Sequence, residues 1–180
     1  MFARYMEVAG SEVHEDLPKD LMMEMEEIRF RLTNADGWTF VRRMAEKWGT
    51  KATSPVLVER MHGEPAATSE FTELLERQDE ARRRLLQWVK NYDVILCPAG
   101  GKPAEPINFG DDPLRRNPGR GYTGLYNSTG WPAAVVRGGS SAEGLPIGIQ
   151  VVGRPWREDI VLAVCRHLEE KTGGWQRLSL

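Results

Sequence analysis

The sequence predicts an α/β fold of about three strands and five helices. Three observations carry this. Apolar residues recur at helical spacing through the first half of the chain. Three short apolar runs bounded by turn residues follow in the second half. A last segment returns to helical spacing. At 180 residues the chain fits one domain with enough length to bury a core.

The first helix is placed at Leu21 to Leu32, where Leu21, Met22, Met25, Ile28 and Leu32 keep close to helical spacing. Asn34-Ala35-Asp36-Gly37 breaks it, and Asp36 has the form of an N-cap for a second helix. There Trp38, Val41, Met44, Ala45 and Trp48 lie along one face, and Gly49 is the stop. Ser54-Pro55 reads as an N-cap followed by proline at the first helical position, opening a short helix to His62. The longest helix starts at Thr68 or Ser69 and reaches about Lys90. Its apolar stripe is Phe71, Leu74, Leu75, Ala81, Leu85, Trp88 and Val89. Glu73/Arg77, Asp79/Arg83 and Glu80/Arg84 are i,i+4 pairs with the acid first. The interleaved acids make Arg82-Arg83-Arg84 a solvated helix face rather than a nucleic-acid patch.

Val94 to Cys97 is a short apolar run between Asp93 and Pro98, the pattern of a strand covered on both faces. Residues 99–121 are rich in Gly, Pro, Asp and Asn, and read as a functional loop or an irregular wrap over a neighbour. Ala133 to Val136 and Ile147 to Val152 are the other strand candidates, joined by a turn-rich connection from Arg137 to Pro146. The final helix opens near Glu158 or Asp159, whose acids suit a helix N-terminus, and runs to about Lys171 before Gly173-Gly174. Trp156 with Arg157 reads as packing ahead of it. A sheet this small keeps a raw edge unless another part of the protein pairs with it.

Apolar residues make up 41% and charged residues 28%, ordinary for a globular domain. The net charge of −2 and a pI near 6.0 favour neither nucleic acid nor anionic membrane as a partner. The run Ile160 to Cys165 is far short of the roughly 20 residues a spanning helix needs, so no transmembrane segment is expected. The N-terminus lacks the pattern of a signal peptide, and with two cysteines a disulfide framework is not expected, so a reducing cytoplasm is the default. Cys97 and Cys165 read as buried thiols acting as small hydrophobes. No pair among His14, His62 and His167 has metal-ligand spacing, so neither a metal nor a cofactor is expected. Gly119-Arg120-Gly121 lacks the strand-turn-helix context of a phosphate loop.

Residues 121–170 hold the most specific pattern. It consists of Tyr126-Asn127-x-x-Gly130-x-Pro132-Ala133, then Gly144-Leu145-Pro146-Ile147-Gly148-Ile149-Gln150, then a helix ending in Leu168-Glu169. These blocks resemble the closing segment of the amidase-signature hydrolases, the amide hydrolases related to fatty acid amide hydrolase. The likeness extends more loosely back through Tyr92 to Pro98 and the long helix to Ser54-Pro55…Glu59-Arg60…Gly63. The chain then reads as a single partial domain over residues 1–180, with 1–50 helical and unassigned and 51–180 the C-terminal segment. The resemblance implies a mixed sheet surrounded by helices. It also implies hydrolysis of a carboxylic amide to acid and amine by a serine, a second serine on a cis peptide and a lysine. All three lie upstream of the matching segment in the family, so no catalytic residue is expected in this chain, which would be inactive alone. The parent enzyme would take a small-molecule amide, and a separately encoded N-terminal half or a second copy is the expected partner. The alternative is a non-catalytic subunit or binding module derived from that fold.

Gly138-Gly139-Ser140-Ser141 copies the start of the family's Gly-Gly-Ser-Ser-Gly-Gly signature. Ala142-Glu143 follows, and the family has a variable connection at this address. The composition reads as a glycine–serine loop, and neither serine carries over as catalytic. A local hydrolase built on Ser140 or Ser141 lacks an assignable base. By resemblance, Tyr126 to Pro132 passes near the acyl-binding cavity. The pocket candidates are therefore Tyr126, Asn127, Thr129 and Trp131, with Asn127 and Thr129 fixing backbone and Trp131 lining the wall. Composition alone makes Asn127, Gly130 and Pro132 a tight turn feeding the next strand, and the two readings stand together. The Gln150 amide lies inside an apolar strand and needs partners if buried; a structural bond to a neighbouring loop is the expected use.

Overall fold

A computed structural model describes residues 10–50, 57–58, 61–104, 122–175 and 177. Five helices and three strands fall wholly within them: α1 Lys19–Asn34, α2 Thr39–Trp48, α3 Thr68–Val89, β1 Val94–Pro98, α4 Thr123–Thr129, β2 Ala133–Ser140, β3 Pro146–Gly153 and α5 Glu158–Thr172. They group into two compact units. One is Asp20–Arg83; the other joins the described residues up to Lys19, Arg84–Ala104 and those from 122 onward.

In the helical unit, α1 buries Leu21, Met25 and Ile28, one seam at i, i+4 and i+7. Leu74 and Ala81 are buried on α3, and Met61 is buried ahead of it. Arg31 reaches Glu70 at 2.7 Å and Arg77 reaches Glu27 at 3.5 Å, joining α1 to α3. These pairs are half-exposed and add little. Along α3, Asp79 pairs with Arg82 at 3.3 Å and Glu80 with Arg83 at 2.6 Å, both three residues apart.

The N-cap of α2 is Trp38, at φ 60°, rather than the expected Asp36, whose carboxylate two residues earlier accepts the N–H of Trp38 at 2.8 Å and of Phe40 at 3.5 Å. Gly49 ends the helix, donating its N–H to the Ala45 carbonyl at 2.8 Å. The apolar face read from sequence is there, yet no residue of α2 is buried. The expected helix from Ser54 to His62 lies mostly outside the described residues; Leu57 and Val58 are helical, and the Met61 N–H bonds the Val58 carbonyl at 3.2 Å.

In the second unit the strands form an antiparallel sheet in the order β1-β3-β2. Val94 pairs with Gly153 and Pro98 with Ile149 across β1 and β3. Ala133 pairs with Val152 and Ser140 with Pro146 across β2 and β3. The register shifts between Arg137 and Gly139. This bulge lets β2 continue to Ser140, four residues past the end expected from its apolar run.

Side chains alternate across the central strand. Ile149 and Val151 join Val136 and the α5 residues Val161, Cys165 and Leu168 in one buried cluster, with Val94 and Leu96 packed against it. Gln150 and Val152 face the other way, opposite Cys97 and Ile95. All four are buried. Both faces of β3 are therefore covered, which is why its sequence is almost wholly apolar.

Close approach of α5 depends on Gly153: a Cβ there would lie 2.6 Å from Val161 Cγ2. The far end of α5 is tied by the Thr172 hydroxyl, which donates to the Arg137 carbonyl at 2.8 Å. Trp156 corrects an expectation. It does not pack ahead of α5 but is 88% exposed, with φ 64°, while Arg157 forks onto Asp159 at 2.9 and 3.0 Å.

Candidate functional site

The candidate pocket residues lie in and just after α4, beside the face of β3 opposite α5. Leu125, Tyr126 and Ser128 are buried on this seven-residue helix. Gly130 stops it in the left-handed region, at φ 69° and ψ 21°, and gives its N–H to the Tyr126 carbonyl at 2.9 Å. That is a glycine C-cap, a conformation other residues adopt only at a cost. The tight turn read from composition is thus the exit of a helix, and Asn127 belongs to the helix rather than to the turn.

Thr129 fixes that exit. Its hydroxyl donates to the Tyr126 carbonyl at 3.2 Å and accepts the Trp131 N–H at 3.4 Å. Trp131 is buried, its ring 6.5 Å from that of Tyr126 and tilted by 31°. Asn127 is exposed. The structure therefore brings Tyr126, Thr129 and Trp131 together and leaves the Asn127 amide open to solvent.

Beneath α4 is a polar cluster between strands. Gln150 is buried and donates from Nε2 to Cys97 Sγ at 3.3 Å and to the Tyr122 carbonyl at 3.5 Å. The Tyr126 hydroxyl also bonds to Cys97. Gln150 thus ties the sheet to the segment entering α4, the loop bond expected for it. Cys97 does more than a small hydrophobe would, since it accepts from two side chains. The cause is the pairing of Cys97 with Gln150, and nothing local in sequence signals a contact between residues so far apart.

Burial pushes the Tyr126 hydroxyl well above its ordinary range, and the neighbouring Cys97 adds to this. Burial likewise pushes the Cys97 thiol up, outweighing the opposite pull of the bonds from Gln150 and Tyr126. A buried thiol held protonated is inert as a nucleophile. The Cys165 thiol is also raised, first by burial.

Gly138, Gly139 and Ser140 close β2 rather than forming the expected loop, and Ser141 opens the turn to β3. The Arg137 guanidinium donates to Ser140 Oγ at 2.8 Å. Ser141 Oγ accepts the Leu145 N–H at 3.3 Å, and the Ser141 and Leu145 backbones close the turn at 2.8 Å. Ser141 also bonds to Glu143, which holds that carboxyl below its usual range. A guanidinium cannot take a serine proton, and a carboxylate so stabilised is a weak base. The pair serves turn geometry. Among the described residues no group of three or more His, Cys, Asp or Glu side chains is arranged to hold a metal ion. None of their helices is long and apolar enough to cross a membrane.

A family model described as amidase matches residues 3–162. The chain belongs to the amidase family. It is 34% identical over 98 residues to fatty-acid amide hydrolase 2 of Homo sapiens, covering 54% of this chain and 18% of that protein. It is 29% identical over 157 residues to one subunit of the glutamyl-tRNA(Gln) amidotransferase of Roseobacter denitrificans, covering 81% of this chain and 30% of that protein. The fold of this amidase-family chain is similar to that of Kluyveromyces lactis allophanate hydrolase, at TM-score 0.79 and 15% identity, covering 93% of this chain and 28% of that one. It is also similar to a fatty acid amide hydrolase structure, at TM-score 0.75 and 17% identity, covering 93% and 35%. The chain spans less than a third of the length of these curated relatives.

Proposed function

We propose that this chain supplies the C-terminal, non-nucleophilic part of an enzyme that hydrolyses carboxylic amides to acid and amine. The observation that carries the reading is the amidase match over residues 3–162 in a chain spanning 18% to 30% of its curated relatives. In those enzymes, by resemblance, a serine activated through a second serine and a lysine attacks the amide carbonyl. That machinery belongs to the part preceding this segment. The chain's own contribution is a two-sided sheet core and a wall. Buried Tyr126 and Trp131 stiffen the wall, Thr129 fixes its backbone, and Asn127 offers a polar amide at its surface. The serine pair at the β2–β3 turn is engaged by Arg137, the Leu145 backbone and Glu143, and takes no part in the chemistry.

The test is direct. Purified chain should neither turn over a simple aryl amide nor accept label from a fluorophosphonate. Turnover abolished by that reagent refutes the reading, and loss of such turnover in a Ser140→Ala/Ser141→Ala variant would relocate the nucleophile to the turn. A second reading, a non-catalytic binding module, draws on the two edge strands β1 and β2. It predicts a stable monomer with cooperative unfolding. The first reading predicts that activity appears when the chain is co-expressed with a segment carrying the lysine and the Gly-Gly-Ser-Ser-Gly-Gly signature.

A further inference from the structure

The turn ahead of α5 places a tryptophan where the backbone favours glycine. The Arg157 N–H bonds the Arg154 carbonyl at 3.1 Å and closes a four-residue turn. Pro155 is its second residue, with φ fixed by the ring at about −65°. Trp156 is its third, at φ 64°. Proline followed by a left-handed residue is the type II pattern, whose third position takes glycine or asparagine. A Cβ disfavours that conformation, and tryptophan carries a bulky side chain on it. The same side chain is 88% exposed, so packing within this chain does not offset the strain. A second tension lies at the same turn: Arg154 Nε is buried and has no hydrogen-bond partner among the described residues. Natural sequences depart from local preference mainly where a further demand acts on the residue.

We infer that Trp156 is the anchor on which the N-terminal part of the parent amidase docks, seating an apolar socket over the indole. The inference rests on the reading of this chain as the C-terminal part of that enzyme. Tryptophan and arginine are enriched among the few residues that carry binding energy at protein interfaces. The chain spans 18% to 30% of its curated relatives, so most of such a protein lies outside it. Trp156 falls within the matched residues 3–162. Charge sets the other partners aside. Arg157 is forked onto Asp159 at 2.9 and 3.0 Å, and Arg154 faces Asp93 at 3.6 Å. Glu158 follows two residues after the indole. Two cations against three acids leave no positive excess for an anionic bilayer or a nucleic acid. The indole N–H is a donor, so the socket that covers it needs an acceptor.

The experiment compares the parent, Trp156→Gly and Trp156→Phe chains, alone and co-expressed with a tagged amidase segment carrying the lysine and the Gly-Gly-Ser-Ser-Gly-Gly signature. Alone, Trp156→Gly should raise Tm by about 2–4 °C, the left-handed strain released less the freedom glycine gains in the unfolded chain. With the segment, it should bind at least about 30-fold more weakly than the parent, the loss expected for an interface hot spot. Trp156→Phe keeps an aromatic ring and should retain most of the binding. A chain made more stable and less able to assemble is a result that a residue packed in its own fold does not give. The inference alone is overturned if the parent and Trp156→Gly chains bind the segment and restore amide turnover equally, or if Trp156→Gly lowers Tm. The underlying reading fails with it if even the parent neither binds the segment nor restores turnover. A dimer of the parent that Trp156→Gly dissociates would place a second copy over the indole and overturn the inference as well.

Discussion

Gly153→Ala forces a methyl group into the base of α5. A Cβ at this position lies 2.6 Å from Val161 Cγ2, 3.2 Å from the Arg157 carbonyl oxygen and 3.6 Å from Pro132 Cγ. Carbon atoms pack at about 3.5–4.0 Å, so the first contact must open by about 1 Å. Val161 cannot step aside easily. It is buried, and a β-branched side chain in a helix has one strongly preferred rotamer. Gly153 does not have a left-handed φ, so alanine suits its backbone and the cost falls on packing. Overpacking of this kind costs about 1–3 kcal/mol. For a chain of this size that lowers Tm by about 2–12 °C, at about 2–4 °C per kcal/mol. The assay is urea unfolding of the full chain followed by far-UV circular dichroism, comparing midpoints at unchanged slope. Val161→Ala deletes the methyl that is struck, so in the double variant the two effects should fall short of additive by about 1 kcal/mol or more. An unchanged midpoint for Gly153→Ala, or strict additivity with Val161→Ala, would refute the seating of α5 on β3.

Three further outcomes are expected. Tyr126→Phe removes a buried hydroxyl bonded to Cys97 and should cost about 1 kcal/mol in the same unfolding assay; a neutral result would mean the bond contributes nothing. Cys97 and Cys165 should resist an aromatic disulfide reagent in the folded chain at mildly alkaline pH and react fully in denaturant, because both thiols are buried and raised. Rapid native reaction would contradict their burial. The Tyr92 hydroxyl at 2.6 Å, and then the Trp88 ring N–H at 3.2 Å, lower the Asp16 carboxyl in the folded state. A lowered folded value means stabilisation fully present above the unfolded pKa of about 3.9 and lost as pH falls through the folded value. Asp16→Asn should therefore flatten the acid limb of the stability–pH curve below about pH 4 and leave its neutral region parallel to the parent.

Much of the fold is written in local pattern. The Leu21–Met25–Ile28 seam and the stripe of α3 carry the helical period, and the unbroken apolar run of β3 marks a strand covered on both faces. Three features are not local. The helix α4 is built of Thr, Gly, Asn and Ser, poor helix formers; burial of Leu125 and Tyr126 holds it, and its one local sign is Gly130, which closes it. The strand β2 outruns its apolar residues because a bulge absorbs the glycines. The partners of Gln150 depend on a register set between strands 53 residues apart. In the candidate site, Trp131 and Thr129 are visible as types in a suggestive order. The role of Cys97 beneath them is not, because a cysteine reads the same in sequence whether it fills space or accepts hydrogen bonds.

The place of β3 at the centre of the sheet has a consequence for synthesis on the ribosome. Val94 finds its partner in Gly153, 59 residues later. At about 5–20 residues per second, β1 waits roughly 3 to 12 s for the strand that completes it. The β2–β3 hairpin closes its own turn within microseconds once made, so the sheet is finished from its C-terminal side backwards. Until then Val94-Ile95-Leu96 is an unpaired apolar segment on a nascent chain. Release of the chain before β3 begins at Pro146 would leave it with no strand to join.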